Sequence, residues 1–193
     1  KRIGRYLKLR PRAVVWYRWQ EDNGHVEGFT DSDWAGCRTT RRSTAGGAVM
    51  RGDHLLKTYS KTQANIALSS GEAELYVAVK ASSEVLGLCS IARGWGLDLD
   101  GRVWADAGVA LGIVGRQGLG NVRHLDTNVL WVQEAALRKR LLFCKVKGGH
   151  NVADLMTKYL DSETLTRHSR ALGIVFPDVK SSIALSAGAL YWK

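Results

Sequence analysis

The 193-residue chain predicts an α/β fold, a five-stranded mixed sheet with helices on both faces. Three observations predict it. Strand formers separated by turn residues recur between Val26 and Ser60, a long helical periodicity runs from Gly71 to Arg93, and the remainder alternates strand-like and helix-like segments. Consecutive strands followed by such alternation describe a sheet that is antiparallel in its first part and parallel in its second.

Residues 1 to 24 read as an N-terminal arm. A basic stretch resembling the end of a helix breaks near Pro11, and Ala13 to Trp19 is rich in strand formers before Gly24 punctuates it. Val26 to Trp34 is a strand carrying Asp31 and Asp33 on one face, because side chains alternate with period two, and only one of them can sit at the deepest point. Arg41 to Ser60 is two strands joined at Gly52-Asp53, which completes an antiparallel meander. Ser69-Ser70-Gly71-Glu72 has the hydroxyl caps and early acid of a helix start. Ala73, Tyr76, Val77, Ala81, Val85 and Leu88 then recur at helical spacing until Gly94-Trp95-Gly96 ends the run.

Gly101 to Asp106 is a short strand that places Asp106 at its carboxyl end, where ligands gather in open α/β sheets. Ala107 to Gly115 is a short helix, and Gly115 to His124 a glycine-rich basic loop. Thr127 to Arg140 is an amphipathic helix through Val129, Leu130, Val132 and Leu137. Leu141 to Val146 is the fifth strand, Gly148-Gly149 a turn, and Asn151 to Leu160 a final helix bearing Asp154. Residues 25–160 therefore read as one domain, and 161–193 as a C-terminal extension of uninformative composition.

Lys and Arg outnumber Asp and Glu by 28 to 18, a formal charge of +10. That balance favours a polyanionic partner, nucleic acid before others, over a merely solvated basic surface. Cys37, Cys89 and Cys144 are odd in number and far apart, without metal-ligand spacing. They exclude a disulfide framework and fit a reducing intracellular compartment, cytoplasmic or nuclear. No apolar core follows the basic start, and no run approaches the roughly 20 apolar residues of a membrane span. The mildly apolar Ile183 to Trp192 is expected to dock on protein.

Against this basic background stand four acidic segments: Asp31-Ser32-Asp33, Glu72-Ala73-Glu74, Asp106 and Asp154. Thr30-Asp31-Ser32-Asp33-Trp34-Ala35-Gly36, Arg41-Arg42-Ser43-Thr44, Ala67-Leu68-Ser69-Ser70-Gly71-Glu72-Ala73-Glu74 and Ala153-Asp154-Leu155-Met156-Thr157-Lys158 occur in that order. These words, with the order of elements, resemble the ribonuclease H domain of copia-type LTR-retrotransposon polyproteins. The resemblance covers about residues 1 to 160, and Arg5-Tyr6-Leu7-Lys8 is similar to the reverse-transcriptase connection that precedes this domain.

The resemblance implies a ribonuclease H-like fold and an endonuclease that hydrolyses the RNA strand of RNA/DNA hybrids with two Mg²⁺ or Mn²⁺ ions. Hard carboxylate oxygens suit such ions. It implies Asp31, Glu74, Asp106 and Asp154 as metal ligands and catalytic residues, with Asp33 a bystander and Glu72 a helix-start residue. His150 falls where related enzymes carry a histidine that assists proton transfer or product release, a solvated turn histidine being the alternative. Arg41, Arg42, Ser43, Ser70, Arg123 and His124 are the expected nucleic-acid contacts, and Trp34 and Trp104 the expected core packing beside the acids. The implied partners are an RNA/DNA hybrid, the reverse-transcriptase region of the same polyprotein and a larger assembly. Two departures from the family pattern, Ala107-Gly108 after Asp106 and Gly46-Gly47-Ala48 in the second strand, point to a slow or degenerate copy. The alternative function is therefore a domesticated, catalytically silent subunit that binds nucleic acid or docks in an assembly.

Overall fold

The computed structural model describes residues 2–118 and 130–177. Helix α1 (Arg2–Leu9) leads into a two-residue strand β1 (Val14–Val15), followed by β2 (His25–Asp33), β3 (Thr44–Arg51) and β4 (His54–Thr62). The long helix α2 (Ser70–Gly94), β5 (Asp100–Ala105), α3 (Gly108–Val114), α4 (Trp131–Leu137) and β6 (Leu141–Lys145) follow. Two 3₁₀ turns (Gly148–His150 and Val152–Met156), α5 (Ser162–Ala171) and β7 (Ile174–Val175) complete the chain. The element order implied by the resemblance is observed through β6.

The main sheet has the order β4-β3-β2-β5-β6. The meander β2-β3-β4 is antiparallel, while β5 and β6 run parallel to β2. Gly52 adopts φ +56 at the β3-β4 turn, a conformation that costs glycine nothing. On one face α2 lays Ala81, Val85 and Cys89 over Val26, Val49 and Val103, with Ala135 and Leu141 closing that core. The approach is close: a Cβ on Gly28 would meet Val85 Cγ2 at 2.8 Å. The opposite face buries Ala48, Met50 and Leu55 under Val152 of the second 3₁₀ turn and Leu172 after α5. Helical elements thus cover both faces, as expected.

Helix α2 begins as its sequence predicts. The Ser69 side chain accepts from the Glu72 amide at 3.2 Å, and Glu72 Oε2 in return accepts from the Leu68 amide at 2.8 Å, a reciprocal cap. By length and composition α2 is also apolar enough to cross a membrane. Here its apolar residues are the core of the sheet, and Glu72, Glu74, Lys80 and Glu84 punctuate it.

Three expectations change. The strand over Ala13 to Trp19 shrinks to Val14–Val15, paired with Ile174–Val175, because strand propensity without a neighbouring strand makes no ladder. Trp16, Tyr17 and Trp19 are exposed. The helix expected from Thr127 to Arg140 ends at Leu137, which is exposed although Val132 is fully buried. Lys139 takes φ +54 to turn the chain into β6. Residues 127 to 129 lie outside the described residues. The final helix from Asn151 to Leu160 is only the 3₁₀ turn Val152–Met156, and a separate helix α5 opens at Asp161, whose carboxylate accepts from the amides of Glu163 and Thr164 at 2.9 Å. The segment 183–192, expected to dock, also lies outside the described residues.

Candidate metal centre

The parallel register of β2 and β5 sets Thr30 opposite Ala105, so that Asp31 and Asp106 emerge side by side at the carboxyl ends of adjacent strands. Glu74 reaches them from the second turn of α2. Asp31, Glu74 and Asp106 each offer a carboxylate oxygen, and those three oxygens lie within 4.8 Å of one another. Asp31 and Glu74 are buried and Asp106 is half-buried.

Glu74 Oε1 accepts from both the amide and the hydroxyl of Ser32, at 3.1 and 2.8 Å. Its other oxygen is buried and has no hydrogen-bond partner among the described residues. Such an atom is costly to leave unsatisfied. Burial, with Asp31 and Asp106 adding repulsion, pushes the Glu74 carboxyl up to about 7 despite the Ser32 bonds. Burial likewise raises Asp31, partly offset by Thr157 and Lys158, and burial beside Asp31 raises Asp106. Three carboxylates that resist ionising together, all-oxygen donors and an orphaned acceptor fit a hard divalent cation.

Asp154 stands apart from this trio. Its Oδ1 accepts from Lys158 Nζ at 2.8 Å, and the same ammonium donates to Asp31 Oδ1 at 2.9 Å. The Thr157 hydroxyl donates to Asp31 Oδ2. For Lys158, burial pulls the ammonium down, but the bonds to Asp154 and Asp31 outweigh it and the net shift is upward. Asn151 anchors this turn from within the core: its Nδ2 donates to the Thr30 carbonyl at 2.8 Å and its Oδ1 accepts from the Ala153 amide at 3.2 Å. Asn151, Ser32, Thr157 and Lys158 are the site residues that sequence reasoning missed. Lys158 and Thr157 stood within a quoted word without a role, and Asn151 had the signature of a cap ahead of Asp154.

The remaining candidates divide. Arg41 and Arg42 are exposed on the turn that leaves β2 beyond Asp33, and Ser70 is exposed in the first turn of α2, ahead of Glu74. His150 is exposed on the first 3₁₀ turn. Ser43 is fully buried and its hydroxyl accepts from the Ala35 amide at 3.1 Å, so it braces the turn and is not a surface donor, a correction to the sequence reading. Arg123 and His124 lie outside the described residues. Trp34, expected in the core, is half-exposed because its indole reaches sideways to donate to the Ala67 carbonyl at 3.1 Å. Trp104 is half-buried, stacked on Phe29 with centroids 6.1 Å apart, and donates to Glu27.

The glycines read as a weakness have a steric reason. A Cβ on Gly46, the partner of Asp31 in the ladder, would meet Thr157 Cγ2 at 2.5 Å and Met156 Cβ at 2.8 Å. One on Gly47 would collide with the Tyr59 ring that lies across it.

No family model matches the chain. Over 178 residues, 91% of this chain, it is 25% identical to the retrovirus-related Pol polyprotein from transposon RE2 of Arabidopsis thaliana. Over 136 residues, 69% of this chain, it is 28% identical to the retrovirus-related Pol polyprotein from transposon TNT 1-94 of Nicotiana tabacum. The chain spans 12% and 10% of the lengths of those two relatives. Among solved structures, the N-terminal RNase H domain of rv2228c from Mycobacterium tuberculosis, a fusion with maltose-binding protein, is similar over 77% of this chain and 99% of that one, with a TM-score of 0.49 and 17% identity.

Proposed function

We propose that this ribonuclease H-like domain, whose homologues are copia-type retrovirus-related Pol polyproteins, hydrolyses the RNA strand of RNA/DNA hybrids with two Mg²⁺ or Mn²⁺ ions. The observation that carries the reading is the convergence of carboxylate oxygens from Asp31, Glu74 and Asp106, together with a buried Glu74 oxygen that no group among the described residues satisfies. Asp31, Glu74 and Asp106 would hold one ion, and Asp31 with Asp154 the other. When bound, such ions ease formation of the attacking nucleophile and neutralise the charge building on the departing oxygen.

The chain's own groups do the positioning. Ser32 holds Glu74 by one oxygen and leaves the other without a hydrogen bond among the described residues, while Thr157 fixes the orientation of the Asp31 carboxylate. Arg41, Arg42 and Ser70 contact phosphates at the rim, which fixes register without reading sequence. Selection of RNA rests on 2′-hydroxyl contacts across the shallow minor groove. His150, exposed on the first 3₁₀ turn, passes a proton between the reaction and solvent. The reverse-transcriptase region of the same polyprotein is the proposed neighbour, within a larger assembly in a reducing intracellular compartment, where free Cys37, Cys89 and Cys144 persist.

A gel assay with a labelled RNA/DNA hybrid and Mg²⁺ or Mn²⁺ tests the reading. Cleavage by the wild type that disappears in Asp31→Asn and Glu74→Gln supports it. Retained hybrid binding without cleavage by the wild type at high enzyme supports the silent-subunit alternative, which the loss of a polar side chain at Ala107-Gly108 favours.

A further inference from the structure

Each oxygen of the Asp31 carboxylate already accepts a side-chain hydrogen bond. Thr157 takes one oxygen and Lys158 the other, and Lys158 also holds Asp154 four residues before it. The turn that carries these residues is itself fixed, since the Lys158 amide donates to the Asp154 carbonyl at 2.9 Å and Gly46 lets Met156 and Thr157 settle against β3. Two cation seats therefore differ. Among the described residues no cation is hydrogen-bonded between Asp31, Glu74 and Asp106, whereas the seat between Asp31 and Asp154 contains the Lys158 ammonium.

We propose that Lys158 is a built-in counter-cation of the metal centre, holding the seat of the second divalent ion so that the chain alone binds one ion and admits the second only when this side chain swings out. The inference rests on the metal reading above. A divalent ion and an ammonium on the same pair of carboxylates repel one another strongly in a partly buried site. Only the ammonium can yield: the Asp31 side chain is 3% exposed and that of Lys158 42%. Its outward path leads to the rim, where a phosphate of the nucleic acid offers the ammonium another anion. Loading of the second ion is thereby tied to the arrival of substrate.

Counting bound Mn²⁺ by electron paramagnetic resonance, with the full chain at neutral pH and no nucleic acid, tests this. The expected result is one ion for the wild type, two for Lys158→Met and one for Lys158→Arg. The same variants read by thermal unfolding should show a larger Mn²⁺-induced rise in Tm for Lys158→Met than for the wild type. Lys158→Gln serves if Lys158→Met fails to fold, as judged by circular dichroism. Two ions in the wild type, or one in every folded variant, would overturn the role of Lys158 while leaving the metal centre standing. No ion in the wild type and none in Lys158→Met would overturn the metal reading itself.

Discussion

In the metal-free protein Glu74 should work against the fold, and replacing it with glutamine should stabilise the chain. Burial and the neighbouring acids push its carboxyl up to about 7, against 4.5 for an ordinary glutamate. Holding it ionised in the folded state therefore costs at most about 3 kcal/mol. The sign follows from proton counts. Between pH 4.5 and 7 the folded protein keeps a proton that the unfolded chain has lost, so this group's contribution is complete below 4.5, declines through the interval and is gone above 7. Glu74→Gln retains an oxygen for the two Ser32 bonds and carries no charge. Urea unfolding in EDTA at pH 5 and pH 8 gives the difference between the two proteins. It should be small at pH 5 and approach roughly 3 kcal/mol in favour of the variant at pH 8. Burial lowers His168, which titrates with the opposite slope, but it is common to both proteins and cancels in the difference. Saturating Mg²⁺ should reverse the order, because an ion bound only by the folded wild type adds stability by mass action. A difference that stays flat between pH 5 and 8, or a variant that is the less stable at pH 8 in EDTA, would refute the reasoning.

Gly46→Val should push the second 3₁₀ turn away from β3, at a cost of about 1–3 kcal/mol read by urea unfolding in EDTA. Gly112→Ala, in α3 with open space around it, should instead gain stability, so equal losses in both variants would contradict the steric account. Binding of an RNA/DNA hybrid by Glu74→Gln in EDTA should weaken with salt, log K falling by about 0.9 for each contacted phosphate per decade of salt on B-form duplex. A flat response in a fluorescence-anisotropy titration would remove Arg41 and Arg42 from the substrate rim.

What could be read from the chain alone was whatever depends on local periodicity and local caps. Strands β2 to β4 and helix α2 fall where alternation, the Gly52-Asp53 turn and the Ser69-Glu72 cap put them. Asp31, Glu74 and Asp106 were legible as candidate acids of one cluster because each lies near an element end that the pattern located. The misses share a cause in tertiary contacts. Ala13 to Trp19 has strand composition, yet whether it pairs depends on β7, more than 150 residues away. Asn151 to Leu160 has helical composition, yet it is held as a short turn by a buried asparagine bonded to β2 and by close packing on Gly46. Ser43 and Trp34 exchanged their expected environments because the turn after β2 folds back on itself, which no period reveals.

That coupling changes the meaning of Gly46-Gly47. As sequence, two glycines in a strand suggest decay, since glycine weakens a strand. In the fold, one admits the turn carrying Asp154, Thr157 and Lys158, and the other lies under Tyr59. A chain drifting free of constraint would have no reason to match small residues on β3 to the bulk that covers them. The same match ties the acidic centre to its ammonium: moving the turn outward by the width of one methyl would separate Lys158 from Asp31. The spacing between β3 and the 3₁₀ turn is thus a property of the acidic cluster as much as of the core. A second-site test follows from it: if Gly46→Val acts by drawing Lys158 from Asp31, it should admit a second Mn²⁺ in the wild-type background and add none in the Lys158→Met background.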